Sequence, residues 1–262
     1  MNFGRSSNPV LSKNAFNAQS YAADYTEVMT VNGTINKSLI MLLLVLVGAT
    51  YTWKIFFSAY SAEVGASSLE AGASLVMKWI AIGGIGGLIF ALITMFKKTW
   101  AYFTAPIYAV LEGLFLGAIS AFFEASYPGL VMQAIALTFG TMFILLAGYR
   151  TGIIKVTDKL RSGIIAATGA VALVYLISFV FSLFGVSNLI INSNGILGIG
   201  ISVVIVIIAA LNLVLDFDFI YEGSKAGLPK HMEWYAAFGL IVTLIWLYIE
   251  MLRLLSKITS RN

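Results

Sequence analysis

Residues 196–223 read ILGIGISVVIVIIAALNLVLDFDFIYEG, a run with no charge from Ile196 to Leu215 that closes by setting Asp216 and Asp218 among Leu, Phe and Ile. About 20 apolar residues are what a helix needs to cross the hydrocarbon of a bilayer. The run therefore reads as a membrane span. A carboxylate taken out of water is costly unless it is paired, hydrated or neutralised, so two of them at the end of such a span call for either a functional explanation or the simple end of the membrane.

Six further stretches have the same length and character, at about 35–57, 75–96, 100–123, 129–149, 162–184 and 234–255, with the first quoted run spanning 196–217. Thr34 is available as an N-cap for the first. Turn residues separate the runs at Tyr127-Pro128-Gly129, at Asn192-Ser193-Asn194-Gly195 and from Gly223 to Pro229. The 262-residue chain is 60% hydrophobic and 11% charged, with a mean hydropathy of +0.92, against about 25% charged in ordinary soluble domains. The fold class expected is an all-α polytopic membrane protein. Its division is a polar N-terminal tail at 1–34, a seven-helix membrane domain at 35–257 and a short C-terminal tail at 258–262. No apolar segment near the start suggests a cleaved leader.

Several function classes recede on composition. With no cysteine, disulfides and thiolate metal sites are excluded, and a single histidine, His231, excludes a multi-histidine cluster. No HExxH motif and no serine paired with a histidine inside a span are present, so an enzyme is not expected, and no cofactor is implied. The net charge of +4 is distributed between apolar runs rather than gathered in one patch, which argues for topology and against a nucleic-acid partner. The partner expected first is the lipid bilayer.

Basic residues orient the array. With the N-terminus inside, Arg5, Lys13, Lys37, Lys97, Lys98, Arg150, Lys155, Lys159, Arg161, Lys225 and Lys230 fall on the inner side, and Lys54, Lys78, Arg253, Lys257 and Arg261 on the outer, eleven against five. The expected location is an inner (plasma) membrane with a cytoplasmic N-terminus and an external C-terminus. Small residues spaced four apart, Gly83 with Gly87, Gly113 with Gly117, and Ala166 with Ala170, are expected to form helix-packing ridges. Glycines in GILGIG keep the start of the sixth span slender.

Charged groups inside the spans are the candidate functional residues. Glu112 lies near the midplane of the third span beside Gly113. Asp216 and Asp218, two apart on a helix, point to nearly opposite sides: Asp216 is expected to face the bundle in a polar stripe with Asn212, and Asp218 to face the inner rim, stacked with Glu222. Glu250 and Arg253 have the i,i+3 spacing of an ion pair at the outer end, with Arg253 snorkelling to the interface and Lys257 beyond it.

The quoted run, together with APIYAVLEGLFLGAIS at 105–120 and KHMEWYAAFGLIVTLIWLYIEMLRLLSKI at 230–258, resembles the Bax-inhibitor (transmembrane Bax inhibitor motif) superfamily and, within it, the bacterial YccA-like branch. The resemblance covers about residues 35–257. It implies a central seventh helix wrapped by two layers of three, and a pH-sensitive calcium leak in which an aspartate ending the sixth helix pairs with one in the seventh. Asp216 matches the first position. Counting back from Arg253 puts Thr243 at the second, so the two-carboxylate pair cannot transfer intact. A basic residue ending the second helix, implied to contact the first aspartate, corresponds to Lys97 in MFKKTW. The expected function is thus a pH-sensitive cation leak, with calcium as the transported ion and Asp216, Asp218, Asn212, Glu112, Thr243 and Lys97 as its pathway. The alternative is a regulatory partner of a membrane protease or other membrane complex, acting through the N-terminal tail.

Overall fold

The computed structural model describes residues 27–61, 66–185 and 193–261. Seven α-helices are present among them, each long and apolar enough to cross a membrane: α1 Val31–Tyr60, α2 Ala66–Phe96, α3 Ala101–Ser126, α4 Leu130–Arg150, α5 Asp158–Leu183, α6 Ile196–Lys225 and α7 Met232–Thr259. The chain is an all-α multi-pass membrane protein, as its composition requires.

Most helices outrun the apolar segments that announced them. Hydropathy marks where hydrocarbon covers a helix, whereas the backbone hydrogen bonding continues until a cap or turn stops it. Thus α6 passes Phe217 and runs on to Lys225, and α7 begins at Met232 and reaches Thr259, inside the tail expected from 258. At the start of α1 the N-cap is Thr30 rather than Thr34: the Thr30 hydroxyl accepts the Gly33 N–H at 3.0 Å. Thr34 is buried one turn on, its hydroxyl donating to the Thr30 carbonyl at 3.0 Å. Between α3 and α4 the chain reverses through Gly129 at φ 83°, a left-handed backbone that glycine adopts without steric cost. Glu124 secures this turn by accepting the Gly129 and Val131 N–H groups at 2.7 and 3.1 Å.

The helices form two groups of three around α7. Helices α1, α2 and α3 pack on one another; α6 joins α4 and α5; and α7 lies between the groups, against α1, α3, α4 and α6. Its inward residues Ala237, Ile241, Leu247 and Leu252 are at most 2% exposed. This is the central seventh helix with two three-helix layers.

Close approach of α3 to its neighbours depends on glycine. A Cβ on Gly113 would lie 2.4 Å from the Val45 carbonyl oxygen of α1, one on Gly117 2.2 Å from that of Ala49, and one on Gly83 2.5 Å from that of Leu111. The ridges expected on the second and third spans are real contacts. The Ala166–Ala170 ridge is not: both alanines are exposed, and α5 turns Ile164 and Val171 inward. With α5 packed on α6 alone among its strong neighbours, most of its circumference faces lipid and its small residues have no helix to meet.

Candidate functional site

Asp216 and Asp218 part company as their spacing on a continuous helix demands. Asp216 turns toward α7, where Gly239 and Thr243 share one face four residues apart. A Cβ on Gly239 would sit 3.8 Å from Asp216 Oδ1, and Thr243, itself buried, is the side chain that interacts with the carboxylate. The other oxygen, Asp216 Oδ2, is buried with no hydrogen-bond partner among the described residues. Such groups are rare in folded proteins, since an unpaired buried acceptor forfeits its hydration.

Asp218 is instead tied to the neighbouring helix ends. Its Oδ1 accepts the Tyr149 hydroxyl of α4 at 3.1 Å and its Oδ2 the Arg161 guanidinium of α5 at 2.5 Å. Glu222, one turn on along the same helix, pairs with Lys225 at 3.3 Å. Tyr149 ends α4 and Arg161 begins α5, so Asp218 marks the rim of the bundle, and Asp216, two residues earlier, lies about 3 Å further in.

The remaining candidates are dispersed. Asn212 does not join Asp216; its amide donates to Thr168 Oγ1 of α5 and to the Ile208 carbonyl, both at 2.8 Å. A free amide donor finds the nearest unmatched hydroxyl, and Thr168 supplies one. Glu112 is turned toward α2, its Oε1 3.0 Å from the position of a Cβ on Gly87, with no hydrogen bond among the described residues. Lys97 does not reach Asp216 either. Exposed after the end of α2, it lies over the Trp100 ring at 4.9 Å, where the ring face attracts the cation.

At the opposite end, Glu250 and Arg253 form the expected pair at 2.9 Å. Tyr175 of α5 completes it by donating to Glu250 at 2.7 Å and touching Arg253. Lys257, counted among the outer-side cations, is 4% exposed, bonded to Ser202 Oγ at 2.8 Å and the Gly198 carbonyl at 3.1 Å on α6.

One charged group escaped the sequence reading. Glu233, in the first turn of α7, is fully buried and joined to Lys37 of α1, with Lys230 3.4 Å away. Its Oε1 also accepts the Thr30 N–H and hydroxyl at 2.9 and 3.0 Å. Around it, residues 27–30 lie along the α6–α7 turn: Val28 bridges Pro229, the Met29 N–H donates to the Leu228 carbonyl at 2.7 Å, and the Lys230 N–H donates to that of Glu27 at 3.2 Å. The end of the N-terminal tail is thus a strap against the mouth that Asp218 borders. The rest of that tail, residues 1–26, on which partner capture would depend, lies outside the described residues, as does Asn192 of the turn before α6.

A seven-helix bundle with α7 at its centre and, near one mouth, a buried carboxylate oxygen without a hydrogen-bond partner among the described residues defines a class of integral membrane protein with an internal polar site. The chain matches the family model described as Bax inhibitor 1 like over residues 8–260, and it belongs to that family. No curated protein is similar enough to register as a match.

Proposed function

We propose that the protein is a pH-sensitive cation leak, with calcium the ion carried, in which protonation of Asp216 controls passage through the inner mouth. The observation that supports this reading is the buried, unpartnered Asp216 Oδ2 beside Gly239 and Thr243. A carboxylate so placed keeps an acceptor that no described side chain satisfies, so an opening of the mouth to water lets its charge attract a cation, and a proton removes that charge. Thr243 supplies a further oxygen beside Asp216, whereas Asp218 at the rim is already bonded to Tyr149 and Arg161. Asn212, bonded to α5, and Lys97, over Trp100, stand apart from Asp216. The membrane is a bacterial plasma membrane, entered with the N-terminus on the cytoplasmic side.

With Thr243 in place of a second acid, one proton rather than two governs the switch. Two carboxyls in contact cannot both ionise freely and lose their protons in separate steps; a single carboxyl has one step. In vesicles loaded with a calcium-sensitive dye, flux across a pH series should follow one titration. Asp216→Asn should flatten it, and Thr243→Asp should split it in two. Equal flux from wild type and Asp216→Asn at every pH removes Asp216 from the mechanism.

A further inference from the structure

An apolar crevice of about 300 Å³ opens on the side of the bundle remote from Asp216. Helices α1 and α4 flank it, and α3 and α7 form its floor. It lies toward the end of the bundle that carries the α1–α2 and α3–α4 turns: Val131 and Ile135 belong to the first turns of α4, and Ser120 to the last turns of α3. Its lips are Leu46, 50% exposed, and Met132, 69% exposed, so it is continuous with the surface that these helices present to lipid.

Two features of the crevice identify what fills it. The first is chemical. Every hydroxyl in the lining is already hydrogen-bonded within the protein: Ser120 with Tyr248 at 2.7 Å, Thr138 to the Ala134 carbonyl at 2.8 Å and Thr50 to that of Val47 at 3.0 Å. An occupant finds no hydroxyl in need of a partner. The second is the character of the lips. A partner's transmembrane helix is held by small residues and by polar bonds between helices, whereas the lips here are the large side chains Leu46 and Met132. A slender alkyl chain needs neither.

We infer that the crevice is a binding site for one acyl chain of a phospholipid, drawn from the leaflet on the side of the α1–α2 turn. The chain enters between Leu46 and Met132 and lies against Ile245 and Tyr248 of α7. Burying this lining against an alkyl chain restores the packing contacts that an empty apolar groove lacks. The site stands whether or not Asp216 gates an ion.

The test uses the full chain reconstituted in vesicles containing a phosphatidylglycerol whose acyl chain carries a diazirine, followed by irradiation and peptide mapping. Ile245 and Tyr248 belong to the central helix and line the crevice, so a chain inside it reaches them. Label is expected on α7 at these residues as well as on the outward residues Leu43 and Ile144. A filled variant, Ala49→Leu with Ile135→Phe, is expected to lose the α7 label and keep the outward label, which also reports that it folds and inserts. Should the filled variant fail to fold, the wild-type map decides alone. Label confined to outward residues in the wild type overturns the inference, and so does α7 label that persists in the folded, filled variant.

Discussion

Glu233 shows what a single residue can do that its sequence neighbourhood does not announce. In KHMEWY it reads as one acid among aromatics at a helix start, yet its partners Lys37 and Thr30 lie some two hundred positions away. Spacing arguments find pairs on one helix, as they found Glu250 with Arg253, but not pairs made by folding. The same limit hid the Arg161–Asp218 bond and sent Asn212 to the wrong neighbour. Asp216 was legible because a carboxylate in an apolar run is anomalous by itself, and Thr243 only because the family resemblance implies a second acid at that place, counted back from Arg253. The energies differ as sharply as the legibility. Glu233→Gln leaves the Lys37 ammonium facing an amide and should destabilise the bundle by about 3 kcal/mol, the lower range for breaking a buried pair because both lysines keep some contact with water. A clear fall in the unfolding temperature of the detergent-solubilised protein is the expected reading. Arg161→Ala, whose side chain is 48% exposed, should cost about 1 kcal/mol or less.

At the scale of the helix, the seven spans were legible because the bilayer imposes a length, and their ends were not because hydropathy is silent once a helix leaves the hydrocarbon. Small-residue ridges carry a second kind of information that composition reads only in part. Gly113 and Gly117 mark a crossing where backbone meets backbone, whereas Ala166 and Ala170 have the same spacing and meet no helix. What separates them is whether a neighbour is present, which no local pattern encodes. Substitution exposes the distinction. Gly113→Ala drives a methyl to within 2.4 Å of the Val45 carbonyl oxygen, and separating α1 from α3 should cost about 1–3 kcal/mol. Gly140→Ala on α4 meets nothing within 4 Å and should stabilise by about 0.5–1 kcal/mol, since alanine has less backbone freedom to lose. Opposite shifts in the unfolding midpoint of the two variants are the outcome to look for; equal shifts would mean that α1 and α3 do not cross at Gly113.

For the whole molecule, an odd number of spans places the termini on opposite sides, and the basic residues then decide which side is which. Counted in sequence, Arg253 and Lys257 weaken the case for an inside N-terminus. In the folded bundle Lys257 does not, because it is 4% exposed and bonded to Ser202 and the Gly198 carbonyl. A cation held inside the bundle does not report on the charge of a loop, and leaving it out widens the asymmetry between Lys97, Lys98, Arg150, Lys155, Lys159 and Arg161 on one side and the few exposed cations on the other. The absence of native cysteine allows a direct measurement, because any introduced thiol is the only one in the chain. Lys159→Cys, at the start of α5, and Ser61→Cys, at the end of α1, are both exposed and lie at opposite ends of the bundle. In intact cells a membrane-impermeant maleimide should label the thiol at 61 and spare the one at 159; after permeabilisation both should react. The reverse pattern inverts the molecule in its membrane and moves the mouth that holds Asp216 to the outer face, while labelling of both sites in sealed cells breaks the odd count of spans between the termini.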